Sequence, residues 1–287
     1  MNPTATGLNA LPPFSKRTGR LRTGVFALLT IIWTLLTMLV LGPYKFEHNF
    51  QDQIDSPVLA LELALNAGDL RTVLRSENPM ETEFARQLLR TNNRLDLILI
   101  PLYTGFLWSF VTMLGTTATT SMLRRACYAC IFGTGVFDYV EDVGISRALD
   151  RVQLTDQMAR AISLPSVLKW GLLGAALFLI ALLLFRSDGM VYSRSTTRLM
   201  AILHALAGLF IVVGILQHSK IELGFRIFGL LVVWNAAALL GPLLTRRFPG
   251  MVPVYVTDFC TRSRVDHEPS VAAQPLALNP KDEDRTR

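Results

Sequence analysis

Three carboxylates stand together near the middle of the chain, in the stretch GVFDYVEDVG at positions 135–144. Asp138, Glu141 and Asp142 are spaced i, i+3 and i+4, which puts all three on one face of an α-helix. The stretch closes an apolar run that begins at Ala126. Acids in such a place can do three kinds of chemistry. They can pair with cations and fix helix packing. They can carry protons or bind a hard cation through oxygen, since three neighbouring carboxylates at low dielectric cannot easily all be ionised. Or they can act as acid and metal ligand in an enzyme working on lipid.

The rest of the sequence offers little competing chemistry. His-Glu-x-x-His is absent, which argues against a zinc protease of that type. GTGVFD (133–138) begins like a dinucleotide fingerprint but lacks the third glycine and a preceding strand. Gly133 and Gly135 read instead as sites of close helix approach. The histidines, His48, His204, His218 and His267, have no ligand spacing. His204, inside an apolar run, reads as a packing residue. Cys127 and Cys130 form a C-x-x-C without a second pair, so they read as small core residues, and Cys260 stands apart. No metal centre and no cofactor is specified. Arg86, Arg90 and Arg94 recur every four residues and line one helical face. That stripe is either a solvated, ion-paired face or a site for anions or lipid headgroups.

The elements that position these residues follow from the distribution of apolar side chains. The chain has 287 residues, of which 51% are hydrophobic. They gather in blocks of about twenty, and at about 1.5 Å per residue such a block crosses a hydrocarbon core of about 30 Å. The expected fold is all-α: a polytopic membrane bundle of about six transmembrane helices, with amphipathic helices outside. The formal net charge of +6 fits Lys and Arg at a cytoplasmic face. No nucleic-acid-binding motif accompanies it.

Residues 1–22 read as a disordered cytoplasmic arm containing Lys16, Arg17, Arg20 and Arg22 without an acid. The membrane domain spans 23–247, with crossings at about 23–42, 97–118, 126–145, 165–185, 199–217 and 224–244. The first run is too long for a signal peptide and lacks a following cleavage site. The outer connection, 43–96, is helical. Ser56-Pro57 starts one helix, which VLALELALN carries to a stop at Gly68. Asn78-Pro79 starts another, with Glu81 at capping-box spacing, and it continues into the second crossing. SRALDRVQLTDQMARAIS (146–163) reads as a helix lying at the interface. Residues 248–287 read as a mostly disordered cytoplasmic tail, with at most a short extended piece at VPVYV.

Helical rise then assigns depths. With the third crossing entering from the cytoplasm near Ala126, Asp138 lies about 18 Å in and Asp142 about 24 Å in. Lys169 in the fourth crossing and Arg226 in the sixth reach the same outer level. The expected site is an outer-leaflet cluster of Asp138, Glu141, Asp142, Lys169 and Arg226, with Arg94 nearby. Asn235 falls close to mid-membrane, just below Asp138. His204 lies about 7 Å from the cytoplasmic side, out of reach.

FDYVED resembles an Asp-x-x-Glu-Asn motif at the end of an apolar helix in uncharacterised bacterial multi-pass integral membrane proteins. SPVLALELA resembles the segment after their first helix. The resemblance covers about the first 145 residues, and Asp142 stands where that motif has Asn. It implies a bacterial inner-membrane protein and supplies no activity. The expectation is a non-enzymatic membrane protein in a lipid bilayer, whose charged cluster is structural or docks a protein or lipid partner. A proton- or cation-coupled transporter is the alternative, and a membrane-embedded lipid-modifying enzyme the second alternative. The enzyme lacks a nucleophile or a second set of acids on another crossing. The transporter lacks broken helices and repeats.

Overall fold

The computed structural model describes residues 16–41, 56–74, 79–114, 120–186, 192–217 and 219–247. All regular structure among them is helical. The elements are α1 (Lys16–Leu41), α2 (Pro57–Glu62), α3 (Ala67–Val73), α4 (Pro79–Met113), α5 (Ser121–Leu149), α6 (Asp156–Arg186), α7 (Arg194–Gly214) and α8 (Ser219–Arg247).

Six long helices close into a ring in which each packs on the next. α1 lies on α4, α4 on α5, α5 on α6, α6 on α7, α7 on α8, and α8 returns to α1. Neighbours run antiparallel. Phe26 meets Gly105 while Trp33 Nε1 donates to the Leu95 carbonyl at 2.6 Å, so α1 and α4 run in opposite directions. The interior of the ring is filled by apolar side chains such as Phe106, Phe110, Ile131 and Leu177.

The protein is a multi-pass membrane bundle. Five of the helices are long and apolar enough to cross a bilayer: those of α1, α4, α6, α7 and α8. α5 is as long as α8, at 29 residues, but its acids keep it out of that set. The expected six crossings thus divide into five apolar helices and one whose charges need partners.

Glycines set the seams. At α6–α7, a Cβ on Gly208 would lie 2.8 Å from the Gly174 carbonyl oxygen. At α7–α8, a Cβ on Gly214 would lie 2.3 Å from the Ile221 amide nitrogen. Gly133 admits Leu172 of α6 and Gly135 admits Thr104 of α4. Small residues let membrane helices approach where the hydrophobic effect gives no driving force.

Several boundaries differ from the sequence expectation. α1 begins at Lys16, so Lys16 to Arg22 belong to a helix and not to a disordered arm. By contrast α4 runs unbroken from Pro79 to Met113, as expected, although Pro101 lies within it. The expected interfacial helix at 146–163 does not exist as a unit. α5 continues to Leu149, a turn follows, and α6 starts at Asp156 and passes through Pro165. Pro165 removes one backbone bond, to the Ala161 carbonyl. Gly144 packs against that same carbonyl, with a Cβ position only 3.2 Å from it. Gly68 does not stop a helix. α2 ends at Glu62 and Asn66 caps α3 in a reciprocal capping box with Asp69. The Ser56 cap is present, its side chain accepting from the Leu59 amide at 3.3 Å. The Asn78 cap, VPVYV, Cys260, His48, His218, His267 and the tail from 248 lie outside the described residues.

α2 and α3 form a lid over one end of the ring. Leu59, Ala60, Leu61, Leu70, Val73 and Leu74 are buried. The Ser56 amide donates to Glu222 of α8 at 3.0 Å, and the Ala67 amide donates to Asp156 of α6 at 2.8 Å. The opposite end collects the basic residues Lys16, Arg17, Arg20, Arg22, Arg124, Arg125, Arg186, Arg194, Arg198, Arg246 and Arg247. No Asp or Glu accompanies them there among the described residues.

Candidate functional site

The site forms where α4, α5 and α6 meet beneath the lid. Asp138, Glu141 and Asp142 share the buried face of α5, as their spacing requires, and are 5%, 0% and 1% exposed. Lys169 of α6 reaches that face. Its ammonium lies 2.8 Å from Asp138 Oδ1 and 3.0 and 2.9 Å from the two oxygens of Glu141. The third partner is Glu62 of α2, whose Oε2 lies 3.2 Å away. An ammonium has three protons, and three carboxylates from two other elements surround this one. Lys169 itself is 4% exposed.

Further donors hold the acids in place. Tyr103 of α4 donates its hydroxyl proton to Asp138 Oδ2 at 2.6 Å. Trp170 Nε1 donates to Glu62 Oε2 at 3.0 Å, and the Trp170 ring lies under the Lys169 ammonium at 4.8 Å. Asn93 of α4 donates to the Asp142 backbone carbonyl at 3.0 Å and to Ser146 Oγ at 2.9 Å, pinning α4 to α5.

Asp142 makes no ion pair with the lysine among the described residues. Its side chain joins those of Asp138 and of Asp96 from α4, and one carboxylate oxygen from each lies within 4.8 Å of the others. Glu62, Asp96 and Tyr103 were absent from the cluster expected from sequence. Glu62 carried a signal: it is the lone acid in VLALELAL, a run otherwise fit for burial. Asp96 and Tyr103 are seven residues apart and so share a helical face.

Arg226 does not join the cluster. Its side chain is 69% exposed and pairs with Glu222 on the preceding turn at 3.5 Å. α8 begins at Ser219, five residues earlier than the expected crossing, so Arg226 sits in its first two turns near the lid. Asn235 is also elsewhere. It accepts from Tyr192 and donates to the Leu231 carbonyl, toward the basic end. His204 is buried, bonded through Nδ1 to the Met200 carbonyl at 2.7 Å and stacked on Phe110. Cys127 is buried with its sulfur 3.7 Å from the Ala176 carbonyl.

The arginine stripe divides. Arg86 donates to the Arg151 carbonyl at 2.9 Å, and Arg90 donates to the Leu149 carbonyl at 2.9 Å and pairs with Asp150 at 3.3 Å. Both guanidinium groups thus cover the C-terminal end of α5, where unpaired carbonyls and the helix dipole favour positive charge. Arg94 is exposed. Replacing Arg90 with Ala removes the Leu149 bond and the Asp150 pair, an expected loss of about 1–2 kcal/mol. Arg94→Ala is expected to stay within about 0.5 kcal/mol of the parent. Thermal unfolding of the two variants in detergent, side by side, measures the contrast.

No protein-family model matches the chain, and neither a curated protein nor a solved structure is significantly similar to it.

Proposed function

We propose that the protein is a non-enzymatic, six-crossing protein of the bacterial inner membrane, whose buried ion cluster locks an extracytoplasmic helical lid onto the bundle. One observation carries this. Lys169 draws together Glu62 from the lid and Asp138 and Glu141 from α5, in a place shut off from solvent. Lid, α5 and α6 are thereby joined at a single nitrogen. The lysine gives Asp138 and Glu141 a shared counter-charge inside the bundle, which supports α5 as the sixth crossing. The basic end of the bundle faces the cytoplasm by the positive-inside rule, so the start of α1 and the end of α8 lie inside and the lid lies outside. The lid is then the surface that meets a protein or lipid partner.

Glu62→Gln tests the lock. The amide keeps the Trp170 bond through its oxygen but weakens the attraction to Lys169. Hydrogen exchange in residues 56–74 is expected to rise at least tenfold, while exchange in α7 and α8 stays at the parent rate. Unchanged protection of 56–74 removes the basis for a lock. A uniform rise across all helices would mean that Glu62 supports the bundle as a whole and not the lid.

A further inference from the structure

We propose that Asp96, Asp138 and Asp142 form a binding site for one divalent hard cation, next to the lysine lock. The three carboxylates come from α4 and α5, and an oxygen of each lies within 4.8 Å of the other two. Three oxygens no more than 4.8 Å apart share a point at most about 2.8 Å from each, within a few tenths of an ångström of calcium–oxygen bonds of about 2.3–2.6 Å.

Proximity of acids alone would not make a site. A separate observation is the state of Asp142. It is 1% exposed, and its Oδ2 is closed to solvent with no hydrogen-bond partner among the described residues. Buried carboxylate oxygens ordinarily find a donor or a cation. Asn92 Oδ1 is in the same condition, buried and without a donor among the described residues. Asn92 lies one helical turn from Asp96 on the same face of α4. Lys169 does not serve these groups: it donates to Asp138 and Glu141 and pairs with Glu62.

Asp138 links the two halves. Its Oδ1 faces Lys169 and its Oδ2 accepts from Tyr103. An ionised carboxylate has about four acceptor positions, so both bonds leave room for a metal. Asn93 holds the backbone of Asp142 against α4, which fixes the distance between the two helices that supply the ligands. Coordination is all-oxygen, as Mg²⁺ and Ca²⁺ require, with no sulfur or imidazole to favour a softer metal.

The experiment uses the full-length protein, purified in detergent, stripped with chelator and dialysed against calcium or magnesium chloride. About one ion per chain is expected to remain bound, and the unfolding midpoint is expected to rise by about 5 °C at 1 mM of the preferred ion. Asp142→Asn and, separately, Asp96→Asn are expected to weaken ion binding at least tenfold and abolish the rise. Both variants should unfold at or above the parent midpoint in chelator, because each removes a like charge. The inference is overturned if the parent binds neither ion and shows no rise at 1 mM. It is also overturned if both variants keep the parent's rise. A midpoint that responds to pH but to neither ion would mean that Asp96 and Asp142 share a proton instead, again overturning it. Should one variant fail to fold, the other and the parent's dialysis stoichiometry still decide.

Discussion

Lys169→Met is expected to abolish most of the folded protein. The change removes one ammonium and leaves Glu62, Asp138 and Glu141 facing each other in a site closed to water. Breaking a buried ion pair from one side costs about 3–5 kcal/mol. Net stability of a whole domain is about 5–15 kcal/mol, so the loss takes a large share of the margin. Monodisperse yield on size exclusion in detergent and the unfolding midpoint both measure it. The cost arises from stranded charge and not from lost packing, which gives the prediction a second arm. Adding Glu62→Gln and Glu141→Gln to Lys169→Met is expected to recover a large part of the yield. A folded, parent-like Lys169→Met would show that the acids do not depend on the lysine. No recovery in the triple variant would point to packing by the lysine stem instead.

The second large effect is steric. Gly214→Val places a branched side chain where a Cβ alone would lie 2.3 Å from the Ile221 amide nitrogen and 2.7 Å from its Cα. These are backbone atoms, so no rotamer change relieves the clash. α7 and α8 must separate at their turn, and Gly224 against Ile211 must open with them. Overpacking of a closed seam costs about 1–3 kcal/mol, and a backbone contact this close puts the expected loss at the upper end or beyond it. Gly229→Ala is the matching control, since a Cβ there meets nothing within 4 Å. The expected ordering of melting midpoints is parent, then Gly229→Ala close to it, then Gly214→Val far below. Equal midpoints for the two variants would contradict the seam geometry.

The helical class, the long apolar segments and the common face of the three α5 acids were all legible in the sequence, because each depends on local periodicity. Matching depths along antiparallel helices also paired Asp138 with Lys169, since helical rise is nearly constant. The same arithmetic failed for Arg226. It assumed where α8 begins, and an error of five residues turns a helix by more than a full turn. Glu222, four residues before Arg226, was the partner the local spacing offered. Glu62 and Asp96 were harder to find for another reason. Each comes from an element whose docking is tertiary: the lid folds back over the ring, and α4 presents Asp96 at the level of Asp138. Gly133 and Gly135 could be read as contact glycines because they lie within three residues of each other. Gly208 and Gly214 gave no such signal, for what makes them necessary is the neighbouring helix.

The composition of α5 also has a bearing on how the chain is built. A helix carrying Asp138, Glu141 and Asp142 partitions poorly into lipid by itself, at a cost of about 2.5–3.5 kcal/mol for an acid near the helix centre. Lys169, the residue that pairs with two of those acids, emerges from the ribosome 31 residues after Asp138, by which time all of α5 has been made. With α5 as the proposed sixth crossing, Asp138 and Glu141 meet their counter-charge only when α6 packs against it. Glu62 precedes Lys169 in the chain, so it meets its partner only once α6 has been made. The lid is thus the first part of the site to be made, and its ion pair is completed only by α6.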